Sequence, residues 1–228
     1  MKDKSFFPHM SVAFADRDDA AKRLALALDS YRGSKPLVLA IPRGAVPMGR
    51  VIANELDGEL DVLLVRKLRS PYSPELAIGA LDETGWTYIA PHAREVGATT
   101  EYIEREKQMQ VTLLKQRRAL YTPGRSPLDA KGRIVIVVDD GLATGATMVA
   151  ALHAVGTKAP AKLVCAVPVA SSRSLELVRG YCDDVICLKI PEDFYAVAQF
   201  YASFPQVEDH EVVALLKARQ RKRELQHE

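Results

Sequence analysis

Residues 134–147, IVIVVDDGLATGAT, restrict the fold of this chain more than any other stretch. Five β-branched apolar residues, Ile134 through Val138, run without a break into two acids, Asp139 and Asp140. A continuous apolar run of that length suits a strand buried on both faces of a parallel sheet. Adjacent carboxylates are costly to bury unpaired, so they belong at the strand's carboxyl edge, opening onto a ligand or metal. A turn of small residues at 141–147 then leads into a helical pattern over 148–155. Small residues let successive backbone N–H groups approach an anion, and a helix N-terminus adds partial positive charge. Thr144 and Thr147 can add hydroxyl donors. The combination calls for a molecule carrying a phosphate and, a few ångströms away, vicinal hydroxyls or a cation.

Helix and strand signals alternate along the whole chain, which predicts an α/β domain with a mostly parallel sheet. Helices are expected over 16–31, 46–56, 99–121, 172–180 and 210–225, and strands over 37–41, 60–65, 162–169 and 184–190. Residues 66–98 are broken up by Pro71, Pro74, Gly79, Gly85 and Pro91, with a hairpin strand expected at 86–90. The long charged helix at 99–121 is expected to bury one stripe of Ile103, Met109, Leu113 and Leu120. At 228 residues the chain reads as a single domain spanning 1–228, with its core at about 35–201 and terminal helices packed on it. A net charge of +2 gives no general pull toward nucleic acid or membrane. No apolar run reaches the length of a membrane span, and the first residues lack a signal-peptide core. Cys165, Cys182 and Cys187 have no metal-ligand spacing and read as reduced thiols of a cytoplasmic protein.

The strand, the two acids and the Thr-Gly-x-Thr turn resemble the signature of the type I phosphoribosyltransferases. The resemblance implies that family's fold, a mostly parallel central sheet flanked by helices with a mobile lid and a small C-terminal hood. It implies transfer of a 5-phosphoribosyl group from phosphoribosyl pyrophosphate to a nitrogenous base or amine, with release of pyrophosphate and with Mg2+ as cofactor. Asp139 and Asp140 would hold the ribose hydroxyls, directly or through Mg2+. Ala143, Thr144, Gly145, Ala146 and Thr147 would cradle the 5-phosphate. A P-loop is excluded because no Lys follows Gly145, and the glycine spacing does not fit a dinucleotide fingerprint.

Three further segments take meaning beside that signature. Arg43 and Gly44 follow the first strand, where Gly44 permits an unusual backbone geometry that would offer donors to pyrophosphate. Arg66 and Lys67 end the second strand, and a planar fork beside a mobile point charge suits a departing polyphosphate. The following 68–83 would be the lid that excludes water, with Arg69 and Glu75 in it. Phe194, after the last strand, with Tyr195 as second candidate, matches the aromatic that stacks on the base in salvage members. The alternative is an aromatic that anchors the last strand to the core, and Tyr201 and Phe204 read as packing residues.

Two departures restrict the acceptor. Ala143 stands where 6-oxopurine transferases carry a third acid, and 170–172 lack the Lys that reads a 6-oxo group. The long helix at 99–121, absent from compact salvage enzymes, is similar to a less-characterised bacterial branch of the family. The competing reading is a non-catalytic sensor of phosphoribosyl pyrophosphate, for which the basic run Lys217, Arg219, Arg221, Lys222, Arg223 would serve nucleic acid or a partner. The absence of a DNA-binding motif ahead of the domain weakens this alternative, and so does the retained Arg66-Lys67 pair, since a pure sensor need not stabilise a leaving group. A phosphatase nucleophile fails on spacing, since adjacent acids are not Asp-x-Asp. The sequence leaves the oligomeric state open, a homodimer being the form considered.

Overall fold

The computed structural model describes residues 12–73 and 76–224, with side-chain surroundings described as far as Lys217. Glu75 and the side chains of Arg219, Arg221, Lys222 and Arg223 lie outside the described residues. The central sheet has strand order β2-β1-β6-β7-β8 and is parallel throughout, built from β1 (Leu37–Ala40), β2 (Glu59–Val62), β6 (Ile134–Val138), β7 (Lys162–Val169) and β8 (Asp184–Lys189). Strand β6 lies in the middle of it, and its side chains alternate between two hydrophobic cores. Ile136 and Val138 pack with α1 (Arg17–Ala27) and α2 (Ala45–Glu55), whereas Val135 and Val137 pack with α4 (Ala146–Gly156) and α5 (Ser172–Arg179). Burial on both faces explains why the sequence run is continuous rather than alternating.

The apolar run at 60–65, expected as one strand, is divided between two sheets. Strand β2 ends at Val62, and β3 (Val65–Arg69) pairs antiparallel with β4 (Ala77–Asp82) in a second sheet of order β3-β4-β5, with β5 at Thr87–Ile89. No Gly or Pro marks the crossing. Leu63 and Leu64 are buried on opposite sides, Leu63 in the α4 core and Leu64 in the α1–α2 core, so hydrophobicity is unbroken where direction changes. The 68–83 segment is therefore largely a packed hairpin. Every residue of β4 is buried, while Tyr72 at the tip is exposed.

Helix α3 (Thr100–Tyr121) starts on Thr99, whose hydroxyl accepts from the Tyr102 N–H at 3.2 Å. Its expected apolar stripe is corrected: Met109 and Leu120 are 57% and 49% exposed, and the buried face is Glu106, Gln110, Leu114 and Tyr121. That face is polar because it packs on β3 and hydrogen-bonds to it. The Arg69 N–H donates to Glu106 at 3.3 Å, and Arg66 donates to Gln110.

The hood joins both ends of the chain. After β8 a short turn at Val197–Phe200 leads to Tyr201, and residues 13–15 lie along it. Phe14 N–H donates to the Phe200 carbonyl at 3.0 Å, and Ala202 and Ser203 N–H groups donate back to Phe14 and Ala15 at 2.9 Å each. Asp16 then caps α1 by accepting from the Asp19 N–H at 2.9 Å, so Arg17 opens that helix beside the hood. The last helix, α6, covers Asp209–Glu224.

Candidate active site

At the carboxyl ends of β1 and β6 a cavity of about 260 Å3 opens between the two βα loops. Asp139 and Asp140 line one wall, Gly44 and Pro42 another, and Ala143, Thr144, Gly145 and Thr147 a third. Gly145 caps α4 with φ of 77°, a left-handed conformation that favours glycine, and thereby turns the α4 N-terminus toward the cavity. The Thr147 hydroxyl is buried there without a hydrogen-bond partner among the described residues. Ala146, the first residue of α4, is buried beneath the loop and does not line this cavity.

The two acids are held differently. Asp139 accepts the Asp140 N–H at 2.9 Å, and burial together with its charged neighbour pushes its carboxyl well above the ordinary range. Asp140 is also raised by burial, but Arg17 pulls the other way. Arg17 donates to the Asp140 Oδ2 through Nη2 at 2.9 Å and Nε at 3.1 Å, and through Nη1 to the Pro205 carbonyl at 2.6 Å. Its guanidinium also stacks 3.6 Å from the Phe204 ring centroid. Tyr201 donates its hydroxyl to the Asp140 carbonyl at 2.7 Å. Tyr201 and Phe204 thus do more than pack: they fix the acid and its counter-ion.

Gly44 is required by proximity, not by a positive φ. A Cβ there would sit 2.1 Å from the Asp140 Oδ2 and 3.0 Å from the Arg17 Nη2. The preceding peptide, Pro42–Arg43, is cis. Arg43 itself points elsewhere, toward Glu208 at 3.3 Å and Asp209 at 3.9 Å, so this loop offers the cavity backbone and not a guanidinium.

Ile41, Pro42, Lys67 and Thr147 also border a second cavity of about 310 Å3, whose other lining includes Arg66, Arg69 and Arg117. Lys67 stands at the junction, near enough to both acids to favour their charged forms. Burial and the like charges of Arg117 and Arg69 weaken the hold of Arg66 on its proton. The expected sites therefore gather at two adjoining hollows, one acidic and small-residue lined, one cationic. Phe194 does not join them. Its ring packs on Phe200 with centroids 5.3 Å apart, and Val197 lines the first cavity instead.

Arg17 and Arg117 were not legible as site residues, because each lies on a charged helix face far from the motif in sequence. The nearest signal for Arg17 was the helix cap at Asp16 beside a hood aromatic, which fixes no partner by itself. Among the described residues no group of three His, Cys, Asp or Glu side chains is clustered to hold a metal. Two adjacent carboxylates, Asp139 and Asp140, are a donor set that Mg2+ accepts when oxygens of another molecule complete its shell.

Residues 15–205 match the family model of the phosphoribosyl transferase domain. The chain belongs to the phosphoribosyltransferase family. Two Mycobacterium tuberculosis proteins, from strains CDC 1551 and H37Rv and each named "Putative phosphoribosyl transferase", are 39% identical to it over 204 residues, 89% of this chain. The chain spans about half the length of these relatives, 46%. The crystal structure of the protein TT1426 from Thermus thermophilus is similar with a TM-score of 0.74 and 42% identity, covering 89% of this chain and 97% of that one. The AQ2163 protein of Aquifex aeolicus shares the fold at a TM-score of 0.50 and 13% identity, over 82% of this chain and 83% of its own. Among the described residues no helix is long and apolar enough to cross a membrane.

Proposed function

We propose that this phosphoribosyltransferase-family chain transfers the 5-phosphoribosyl group of phosphoribosyl pyrophosphate to a nitrogenous base or amine and releases pyrophosphate. One observation carries the reading: the acid cavity and the cationic cavity share a wall formed by Ile41, Pro42, Lys67 and Thr147. A ribose phosphate fits the first and a diphosphate the second. The 5-phosphate would take the loop of Ala143, Thr144, Gly145 and Thr147, with Ala146 placing the first turn of α4 behind it. Asp139 and Asp140 would accept the ribose hydroxyls. Loss of pyrophosphate builds positive charge on the sugar and negative charge on the leaving group. The two carboxylates stabilise the former, while Arg66, Lys67 and the Gly44 backbone stabilise the latter. Asp139 or Asp140, together with oxygens of the donor, would hold Mg2+, which when bound would supply charge neutralisation for the leaving group.

With Ala143 in place of a third acid, deprotonation of the acceptor would fall to a lid residue or water, or the acceptor would be an already nucleophilic amine. Phe194 is engaged with Phe200, which removes it as the stacking partner and leaves Val197 as the hood contact. The three free cysteines accord with a cytoplasmic protein.

A sensor that binds the donor without turnover is favoured by one feature, the ion pair that already occupies Asp140. The deciding experiment measures pyrophosphate release from phosphoribosyl pyrophosphate and Mg2+ across a panel of bases and amines. Release with at least one acceptor supports transfer. Tight donor binding with no release across the panel supports the sensor.

A further inference from the structure

Helix α3 carries Glu106, Gln110 and Arg117 at spacings that place them along one face, and this face meets β3. Glu106 and Gln110 are buried polar residues, 7% and 3% exposed, in a position where packing alone would select apolar ones. Their hydrogen bonds account for them. Gln110 donates to Glu106 at 2.9 Å, Glu106 accepts the Arg69 N–H at 3.3 Å, and Arg66 donates through Nε to Gln110. The network fixes the β3 backbone and aligns Arg66 with the cationic cavity. Arg117, further along the same face and half-buried, lines that cavity from the other side.

Arg66, Lys67, Arg69 and Arg117 thus converge on one hollow, and no ion pair to a described acid neutralises Lys67, Arg69 or Arg117. Clustering cations in this way costs folding energy unless an anion of several charges is to be bound. We propose that Arg117 is a direct ligand of the leaving pyrophosphate. The inference rests on the phosphoribosyl transfer reading above and extends it to α3. That helix then serves as a rigid wall of the leaving-group pocket. Its guanidinium supplies a planar fork opposite the mobile ammonium of Lys67.

The test is calorimetric titration of pyrophosphate and, separately, of ribose 5-phosphate into the wild-type chain, Arg117→Gln and Arg117→Lys, with melting temperatures of all three. The expected result is a loss of roughly tenfold or more in pyrophosphate affinity for Arg117→Gln, since a charge-assisted contact is removed. Ribose 5-phosphate should bind unchanged, and Arg117→Lys should recover part of the loss. The melting temperature of Arg117→Gln should be equal to or above wild type, because repulsion of Arg66 is relieved. Pyrophosphate affinity within twofold of wild type overturns the role of Arg117 and leaves the transfer reading standing. Parallel loss of both ligands with a lower melting temperature shows a structural role and also overturns it. A wild-type chain that binds neither ligand overturns both readings together.

Discussion

At one end of the site Asp140 is already paired with Arg17, whereas at the other Arg66, Lys67, Arg69 and Arg117 face a cavity whose lining carries no acid. At the acid end the carboxylates are held by the hood and by a backbone N–H. At the cationic end Lys67 and Arg69 are exposed. On the transfer reading proposed above, the difference would follow from what each end does. A neutral sugar would meet carboxylates fixed in place before it arrives, Asp139 by a backbone N–H and Asp140 by the Arg17 counter-ion. A diphosphate brings its own charges, so the pocket that receives it can remain positively charged until it is filled.

The largest effect is expected from removing both carboxylate charges. Asp139→Asn with Asp140→Asn should weaken donor binding by about a hundredfold or more, since two charge-assisted contacts are lost; calorimetry with undiminished affinity would refute the acid assignment. Arg17→Met should cost about 3 kcal/mol in urea denaturation, because a buried carboxylate loses its partner. Changing Arg17 and Asp140 together to apolar residues should restore most of that stability without restoring donor binding. Gly44→Ala should cost about 2 kcal/mol through overpacking against Asp140, and should weaken the donor as well. At the cationic end, Lys67→Ala should lower kcat by roughly tenfold while changing KM less, about 1.4 kcal/mol confined to the transition state. A raised KM with kcat unchanged would mean that Lys67 binds the donor uniformly.

Asp139 gives the smallest and most specific contrast. Its carboxyl is raised by burial, so the folded chain holds that proton more tightly than the unfolded one. The group therefore contributes stability at acid pH that is lost as pH rises through its folded value. Asp139→Asn should melt a few degrees above wild type near neutral pH, and the gap should close as pH falls toward about 4, the ordinary carboxylate value. A variant that melts below wild type at neutral pH would show that the ionised form is stabilised, contrary to this reading.

Much of this arrangement was legible in the chain because the chemistry is local there. The apolar run, the paired acids and the small-residue turn fix strand β6, its carboxyl edge and the α4 N-terminus within fourteen residues, 134–147. Strand β7 lies where the apolar pattern put it, at Lys162–Val169. Three things were not legible, each for a physical reason. The division between β2 and β3 leaves hydrophobicity unbroken, so periodicity cannot register it. The polar face of α3 looks solvated until the partner strand is known. Arg17 reaches Asp140 across 123 positions, through an N-terminal segment whose placement depends on backbone pairing with residues 200–203. Arg43 and Phe194 sit in the right loops, but Glu208, Asp209 and Phe200 take their side chains first.

The central claim is that one ligand spans both hollows. Titration of phosphoribosyl pyrophosphate, ribose 5-phosphate and pyrophosphate into the wild-type chain, all with Mg2+, tests it most directly. The account predicts that phosphoribosyl pyrophosphate binds more tightly than either fragment, and that saturating pyrophosphate competes with it. Affinity for phosphoribosyl pyrophosphate no greater than for ribose 5-phosphate would contradict a site with two ends.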